Sequence, residues 1–241
     1  MKQALGVIPA RYHSRRFPGK PLASIHGKPM VQRVFEGARR AKHLSRLVIA
    51  TDDERIRKAC LAFGAEVWMT SPDHNTGTER VAEVAEKIKT PIVINIQGDV
   101  PLIRGEVIDE LICALQNESI PMATVAAKVN DLGNLKEEGT VKVVVDKKGF
   151  ALYFSRSPLP CWAKDYFLKH IGVYGYQRAF LLRFRDMPPS RLEKAEKLEQ
   201  LRALENGFRI KVIESPYSAL SVDSPQDIIR VEEILARREN E

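Results

Sequence analysis

The chain has 241 residues, 44% of them hydrophobic and 29% charged, with a formal net charge of +7. A chain of this length buries roughly 70–75% of its unfolded surface, so the core needs no disulfide or structural metal. The composition excludes disordered, collagen-like and coiled-coil classes. No uncharged apolar run approaches the ~20 residues of a membrane span, and the apolar stretch 4–10 is too short for a signal peptide. Cys60, Cys113 and Cys161 form no CxxC pair, which argues against a zinc site or a disulfide framework. The protein reads as cytoplasmic.

Residues 4–8 form a short apolar run, a buried strand. Residues 28–43 place Met30, Val31, Val34, Phe35, Ala38 and Ala41 at helical spacing. Residues 46–51 (RLVIAT) read as a second strand, after which Asp52 or Asp53 offers the N-cap of a helix ending at Gly64. A third strand spans 66–70, a helix 78–89, and a fourth strand 91–97, the best candidate for the centre of a sheet. A helix at 106–117 and a strand at 122–127 follow. This alternation predicts an α/β fold, a doubly wound, mostly parallel sheet with helices on both faces.

After residue 139 the rhythm changes. Residues 141–146 and 149–154 flank Lys147 and Lys148 and predict a β-hairpin. Ser190 and Glu193 make a capping box that opens a long helix running to Asn206, with Gly207 as its stop. A strand at 208–213 follows, and Ser224, Pro225 and Asp227 begin the last helix. With no repeat or linker, residues 1–241 read as a single domain. The hairpin and helix within 139–207 form an inserted small lobe.

The charge is uneven. Residues 1–46 carry eleven Lys or Arg and only Glu36 against them, a net +10, which leaves the rest of the chain at −3. Part of this excess lies in the segment PARYHSRRFPGKPL, 9–22, directly after the first strand. Ligands of parallel sheets bind beyond the carboxyl ends of strands. Arg11, Arg15, Arg16 and Lys20 there suit a polyphosphate, with Gly19 permitting close backbone approach. The segment is neither GxGxxG nor GxxxxGK[ST], so neither standard nucleotide loop applies.

The same segment begins a succession of motifs: ATDDERI at 50–56, HNTGTERVAEV at 74–84, NIQGD at 95–99 and VKVVVDKKGFALYFSRSPLP at 141–160. HIGVYGYQRAFL at 170–181, PPSRLEKAEKLEQLRALENG at 188–207 and VDSPQDI at 222–228 complete it. In order and over nearly the whole chain, this resembles the 3-deoxy-manno-octulosonate (Kdo) cytidylyltransferases, or CMP-Kdo synthetases. The resemblance implies a nucleotide-sugar transferase type of sheet and a homodimer, the inserted lobe serving dimerisation and sugar binding. It implies an enzyme joining CTP and Kdo for lipopolysaccharide synthesis with Mg²⁺, without nucleic acid or membrane as partner. Arg11, Ser14, Lys20, Thr78 and Arg80 would contact the nucleotide. Gln97, Arg156, His170, Tyr174, Glu199 and Gln200 would line the sugar pocket. Asp99 and Asp223 would hold the metal, and Arg11, Lys20, Asp99 and Asp223 would form the catalytic set. One departure stands out: the family usually reads GDEP where this chain has Gly98-Asp99-Val100-Pro101.

Each assignment has a plainer counterpart. Arg80 can be a surface cation, and a lone histidine such as His170 is more often structural than a ligand. Glu199 and Gln200 fall mid-helix, where Leu198, Leu201, Ala203 and Leu204 leave little free face, so they read as an interface or pocket edge. Asp99 follows a strand by one residue and Asp223 precedes a helix, so both loops can open onto the same sheet edge. They can equally serve a turn and a cap. Two other functions compete: a cytidylyltransferase for sialic acid or amino-Kdo, and a nucleotide- or RNA-binding protein with a degenerate site.

Overall fold

The computed structural model describes residues 1–13, 17–137, 139–217 and 220–239. The chain runs β1 (Ala4–Ala10), a short β2–β3 pair (Ser24–Ile25 and Lys28–Pro29), α1 (Met30–Ala38), β4 (Leu44–Thr51), α2 (Glu54–Ala62) and β5 (Glu66–Met69). It goes on through α3 (Gly77–Lys87), β6 (Ile92–Ile96), α4 (Gly105–Leu115), β7 (Met122–Val129), β8 (Lys142–Val145), β9 (Ala151–Ser155) and β10 (Phe167–Gln177). It ends with α5 (Arg178–Asp186), α6 (Arg191–Glu196), α7 (Leu201–Glu205), β11 (Ile210–Ser215) and α8 (Pro225–Glu239).

The main sheet has the order β11-β7-β10-β6-β1-β4-β5. Its pairs are parallel except those of β10, which runs antiparallel to both β6 and β7. The carboxyl ends of β1, β6 and β11 therefore lie on one edge. Helices α1, α2 and α4 bury Val34, Ile56, Leu111 and their neighbours against one face. On the other face α3, α5 and α7 bury Val81, Phe184 and Leu201, joined by Phe154 of β9. This is the doubly wound α/β arrangement with a mostly parallel sheet that the alternation of elements predicts.

The hairpin β8–β9 branches from the sheet, because β8 pairs with β10 as well as with β9. Its turn is shaped less by the lysines than by Asp146, whose Oδ1 accepts from the N–H groups of Lys148 and Phe150, and by Gly149 at φ 73°.

Three expectations need correction. Helix α1 stops at Ala38 instead of 43. The turn that follows lies against the start of α4, where a Cβ on Gly105 would stand 2.5 Å from Ala41 N, and another helical turn has no room. Strand β10 and helix α5, unanticipated, occupy 167–186 and put an antiparallel strand in the middle of the sheet. The long helix at 190–206 is two short helices, broken at Lys197, which is left-handed at φ 55°. The break turns successive carboxylates to different partners: Glu196 toward Ser155 and Arg156, Glu199 toward Thr78.

Candidate active site

A cleft of about 740 Å³ opens at the carboxyl ends of β1 and β6. Close packing sets its floor, since a Cβ on Gly98 would lie 2.9 Å from the carbonyl oxygen of Pro9. The segment after β1 is pinned at its far end by Gly19, at φ 72°, whose N–H donates to Tyr12 O at 2.9 Å. Arg55 stacks on the Tyr12 ring, 3.3 Å from its centroid. Arg11 is exposed at the rim and donates to Asn75 O at 3.2 Å. Ser14, with Arg15 and Arg16, lies outside the described residues.

Lys20 stands at the centre of the charged wall. Its Nζ donates to Asp99 Oδ2 and to the carbonyl of Val222, both at 2.8 Å, and lies 3.7 Å from Asp223 Oδ1. The two loops are also tied by their backbones, Val222 N–H donating to Asp99 O at 2.9 Å. Val222 itself is buried with Ile25, Met30, Leu102 and Val231, which anchors the start of α8. Capping there falls to Asp227, whose Oδ2 accepts from the N–H groups of Asp223 and Ser224 and from the Ser224 hydroxyl. Among the described residues, two carboxylates meet one ammonium here. Two hard oxygen donors beside a basic loop suit a divalent cation that also takes phosphate oxygens. Val100 is fully buried in the apolar core and is not part of the cleft lining. The side chain that departs from the family pattern therefore does not reach the carboxylates.

Arg80 is not a surface cation. It is 2% exposed, lies within α3, pairs with Asp52 Oδ2 at 3.0 Å and donates to the Thr70 hydroxyl. Losing one partner of such a buried pair leaves the other charge uncompensated. His74, also in the cleft wall, bonds through Nε2 to Glu83 Oε2 at 2.7 Å. Burial works against the Glu83 charge. The N–H of Ser71, His74 and Lys87 overcome it and hold the carboxyl at about 2.

Two residues before Asp99 the lining is neutral. Gln97 borders the cleft, and its Nε2 donates to Asn95 Oδ1 at 3.2 Å. Asn95 Nδ2 reaches the Thr78 hydroxyl at 3.4 Å, and that hydroxyl donates to Glu199 Oε2 at 2.5 Å. Burial raises the Glu199 carboxyl, opposed by the Thr78 hydrogen bond and the Arg202 charge. Beside it, Gln200 is 3% exposed and its Nε2 has no hydrogen-bond partner among the described residues. A buried amide left in that state costs about 1–3 kcal/mol, which an incoming hydroxyl or carboxylate would relieve.

Strand β10 supplies His170 and Tyr174, with ring centroids 5.3 Å apart. Thr124 donates its one hydroxyl proton to Val173 O at 2.8 Å, so at 2.9 Å it accepts from His170 Nε2–H. That leaves Nδ1 as an acceptor. Burial lowers the His170 pKa to about 3, so the ring is neutral in ordinary buffers. Burial and the Glu199 charge raise the Tyr174 phenol, against the pull of Arg156. The Arg156 peptide is held from two sides: Lys142 Nζ donates to its carbonyl at 2.6 Å, and its N–H donates to Glu196 Oε2 at 3.3 Å.

The cytidylyltransferase family model matches residues 5–213. The 3-deoxy-manno-octulosonate cytidylyltransferase of Geobacter sulfurreducens is 49% identical over 95% of this chain and 98% of its own. The chain belongs to the 3-deoxy-manno-octulosonate cytidylyltransferase family. A solved CMP:2-keto-3-deoxy-manno-octonic acid synthetase, complexed with CTP, superposes with a TM-score of 0.92 at 41% identity, covering 98% of this chain and 99% of that one. The 4-diphosphocytidyl-2C-methyl-D-erythritol synthase of Anaerococcus prevotii, at 14% identity and a TM-score of 0.66 over 98% of this chain and 96% of its own, shares the fold alone.

Within this cytidylyltransferase the structure brings Arg11, Lys20, Arg80, Gln97, Asp99 and Asp223 around one cleft. Thr78 is buried behind it, its hydroxyl occupied by Glu199 and Asn95. Arg156, His170, Tyr174, Glu199 and Gln200 form a second group that meets the cleft at Gln97, where a Cβ on Gly172 of β10 would lie 3.6 Å from Gln97 Cγ. Glu199 and Gln200 stand in the break between α6 and α7, not mid-helix. Sequence reasoning missed Asp52, Asn95, His74 with Glu83, and Lys142. The first acid of ATDDE and a polar residue inside the run IVINI were available signals for the first two.

Proposed function

We propose that this chain joins CTP to Kdo, giving CMP-Kdo and pyrophosphate. The observation that carries the reading is one cleft lined both by the charged set Lys20, Asp99 and Asp223 and by Gln97, from which hydrogen bonds lead inward to Thr78 and Glu199. The unpartnered amide of Gln200 supports a polyhydroxylated ligand on the second side.

In the proposed reaction the anomeric hydroxyl of Kdo attacks the α-phosphorus of CTP in line. The new bond joins that oxygen to phosphorus. The bond to the β-phosphate oxygen breaks, pyrophosphate leaves with the electron pair, and the hydroxyl proton passes to solvent. Catalysis is mostly positioning and charge stabilisation. Arg11 and Lys20 offset charge on the leaving pyrophosphate. Asp99 and Asp223 would hold Mg²⁺, which when bound polarises phosphate oxygens and eases loss of the hydroxyl proton. Gln97, Arg156, His170, Tyr174, Glu199 and Gln200 orient the sugar, while Arg80 with Asp52 shapes the nucleotide side.

We also infer a cytoplasmic homodimer. Exposed Leu152 and Trp162, 62% and 87% accessible, support a subunit contact near the hairpin, and three free cysteines suit a reducing compartment. No helix among the described residues is long and apolar enough to cross a membrane. Sedimentation at micromolar concentration should give a dimer, and a monomer would count against it. The activity is tested by pyrophosphate release with CTP, ATP, GTP or UTP crossed with Kdo, sialic acid and amino-Kdo. CTP with Kdo should be the best pair. Preference for another sugar acid would move the assignment, and no release with any pair would favour a binding protein.

A further inference from the structure

Strand β6 reads Ile92, Val93, Ile94, Asn95, Ile96, all fully buried, with one amide among four aliphatic side chains. Asn95 does not border the cleft, yet it stands between a residue that does and the half-buried carboxylate of Glu199. The donors and acceptors along this line have a forced direction. Glu199 lies 3.5 Å from the Arg202 guanidinium, and its Oε2 accepts from the Thr78 hydroxyl. The Thr78 hydroxyl therefore spends its proton on Glu199 and must accept from Asn95. Asn95 then turns its NH₂ to Thr78 and its Oδ1 to Gln97. Gln97 in turn gives its NH₂ to Asn95 and keeps Oε1 on the cleft side, where a Cβ on Gly77 would lie 3.8 Å from it.

We propose that Asn95 is a positioning residue which, through this line of hydrogen bonds from Glu199, presents the Gln97 carbonyl oxygen to the cleft and so selects a substrate hydroxyl at that point. A group that could rotate freely would offer a donor as readily as an acceptor. The fixed amide offers only an acceptor, which a sugar hydroxyl satisfies and an ether or carbonyl oxygen does not. The inference rests on Gln97 facing the sugar acid.

The test is a double-mutant cycle on KM. Asn95→Leu keeps the volume and cuts the line, and should raise KM for Kdo roughly three- to tenfold, with KM for CTP within about twofold. Gln97→Leu should raise KM for Kdo at least as much. The double variant should match Gln97→Leu alone, because Asn95 acts only through Gln97. Independent, multiplying effects would overturn the positioning role while leaving Gln97 in the sugar pocket. An unchanged KM for Kdo in Gln97→Leu would overturn the placement of Gln97 and the inference with it. Should Asn95→Leu not fold, Thr78→Val cuts the same line one link further on and enters the same cycle with the same two outcomes.

Discussion

On one wall of the cleft, Lys20, Asp99 and Asp223 meet within 2.8–3.7 Å as full charges, partly open to solvent and carried by loops. On the other, Gln97, Asn95, Thr78 and Glu199 are linked by hydrogen bonds that run inward from the cleft and are fixed by β6, α3 and the α6–α7 break. The two walls discriminate differently. Point charges attract any polyphosphate strongly, and their effect depends on salt. A fixed line of amides and hydroxyls contributes less attraction and more selectivity, because a mismatched partner leaves buried polar groups unpaired. We propose that affinity for the nucleotide comes from the first wall and choice of sugar from the second.

The largest effect should come from the charged wall. Asp99→Asn and Asp223→Asn keep size and remove charge, and each should lower kcat by on the order of a hundredfold or more, with circular dichroism unchanged. Raising Mg²⁺ should recover part of either loss. Near-normal turnover of Asp223→Asn at low Mg²⁺ would leave Asp99 and the phosphates as the only ligands.

Beneath the same wall, Asp52→Asn should strand the Arg80 charge. We expect a loss of about 3–5 kcal/mol, seen as a fall in Tm of roughly 10 °C. The pair Asp52→Asn with Arg80→Met should recover much of it. A Tm within about 2 °C of the parent for Asp52→Asn would mean that water, not Asp52, compensates Arg80.

The charged wall was also the more legible in sequence. Lys20 lies in a Pro/Gly-bounded basic segment after a strand, and Asp99 and Asp223 border regular elements, so topology alone could bring them to one edge. The second wall depends on features that local patterns do not reveal. Gly172 and Gly175 interrupt the alternation of β10, so the strand that carries His170 and Tyr174 had no clear signal. The apolar spacing of 190–206 fits a straight helix and a broken one equally. Only the tertiary demands on Glu196 and Glu199 distinguish them. The surface-cation alternative for Arg80 stayed open because its partner Asp52 lies far off in sequence, in the turn between β4 and α2.

A smaller effect tests how dry the second wall is. The unfolded chain takes up a proton on His170 near 6.5, whereas the folded chain resists until about 3. The unfolded state thus binds the proton first, and stability should fall as pH drops from 6.5 toward 4. His170→Gln should flatten that part of the pH–stability curve in urea melts. An unchanged slope would place the ring in contact with water.

The claim that the two walls serve two substrates is tested most directly by measuring both KM values in Lys20→Ala and in Arg156→Ala. The account predicts a crossed result. Lys20→Ala should raise KM for CTP about tenfold or more and leave Kdo within about twofold, and Arg156→Ala should do the reverse. Parallel changes in both constants, in either variant, would contradict it.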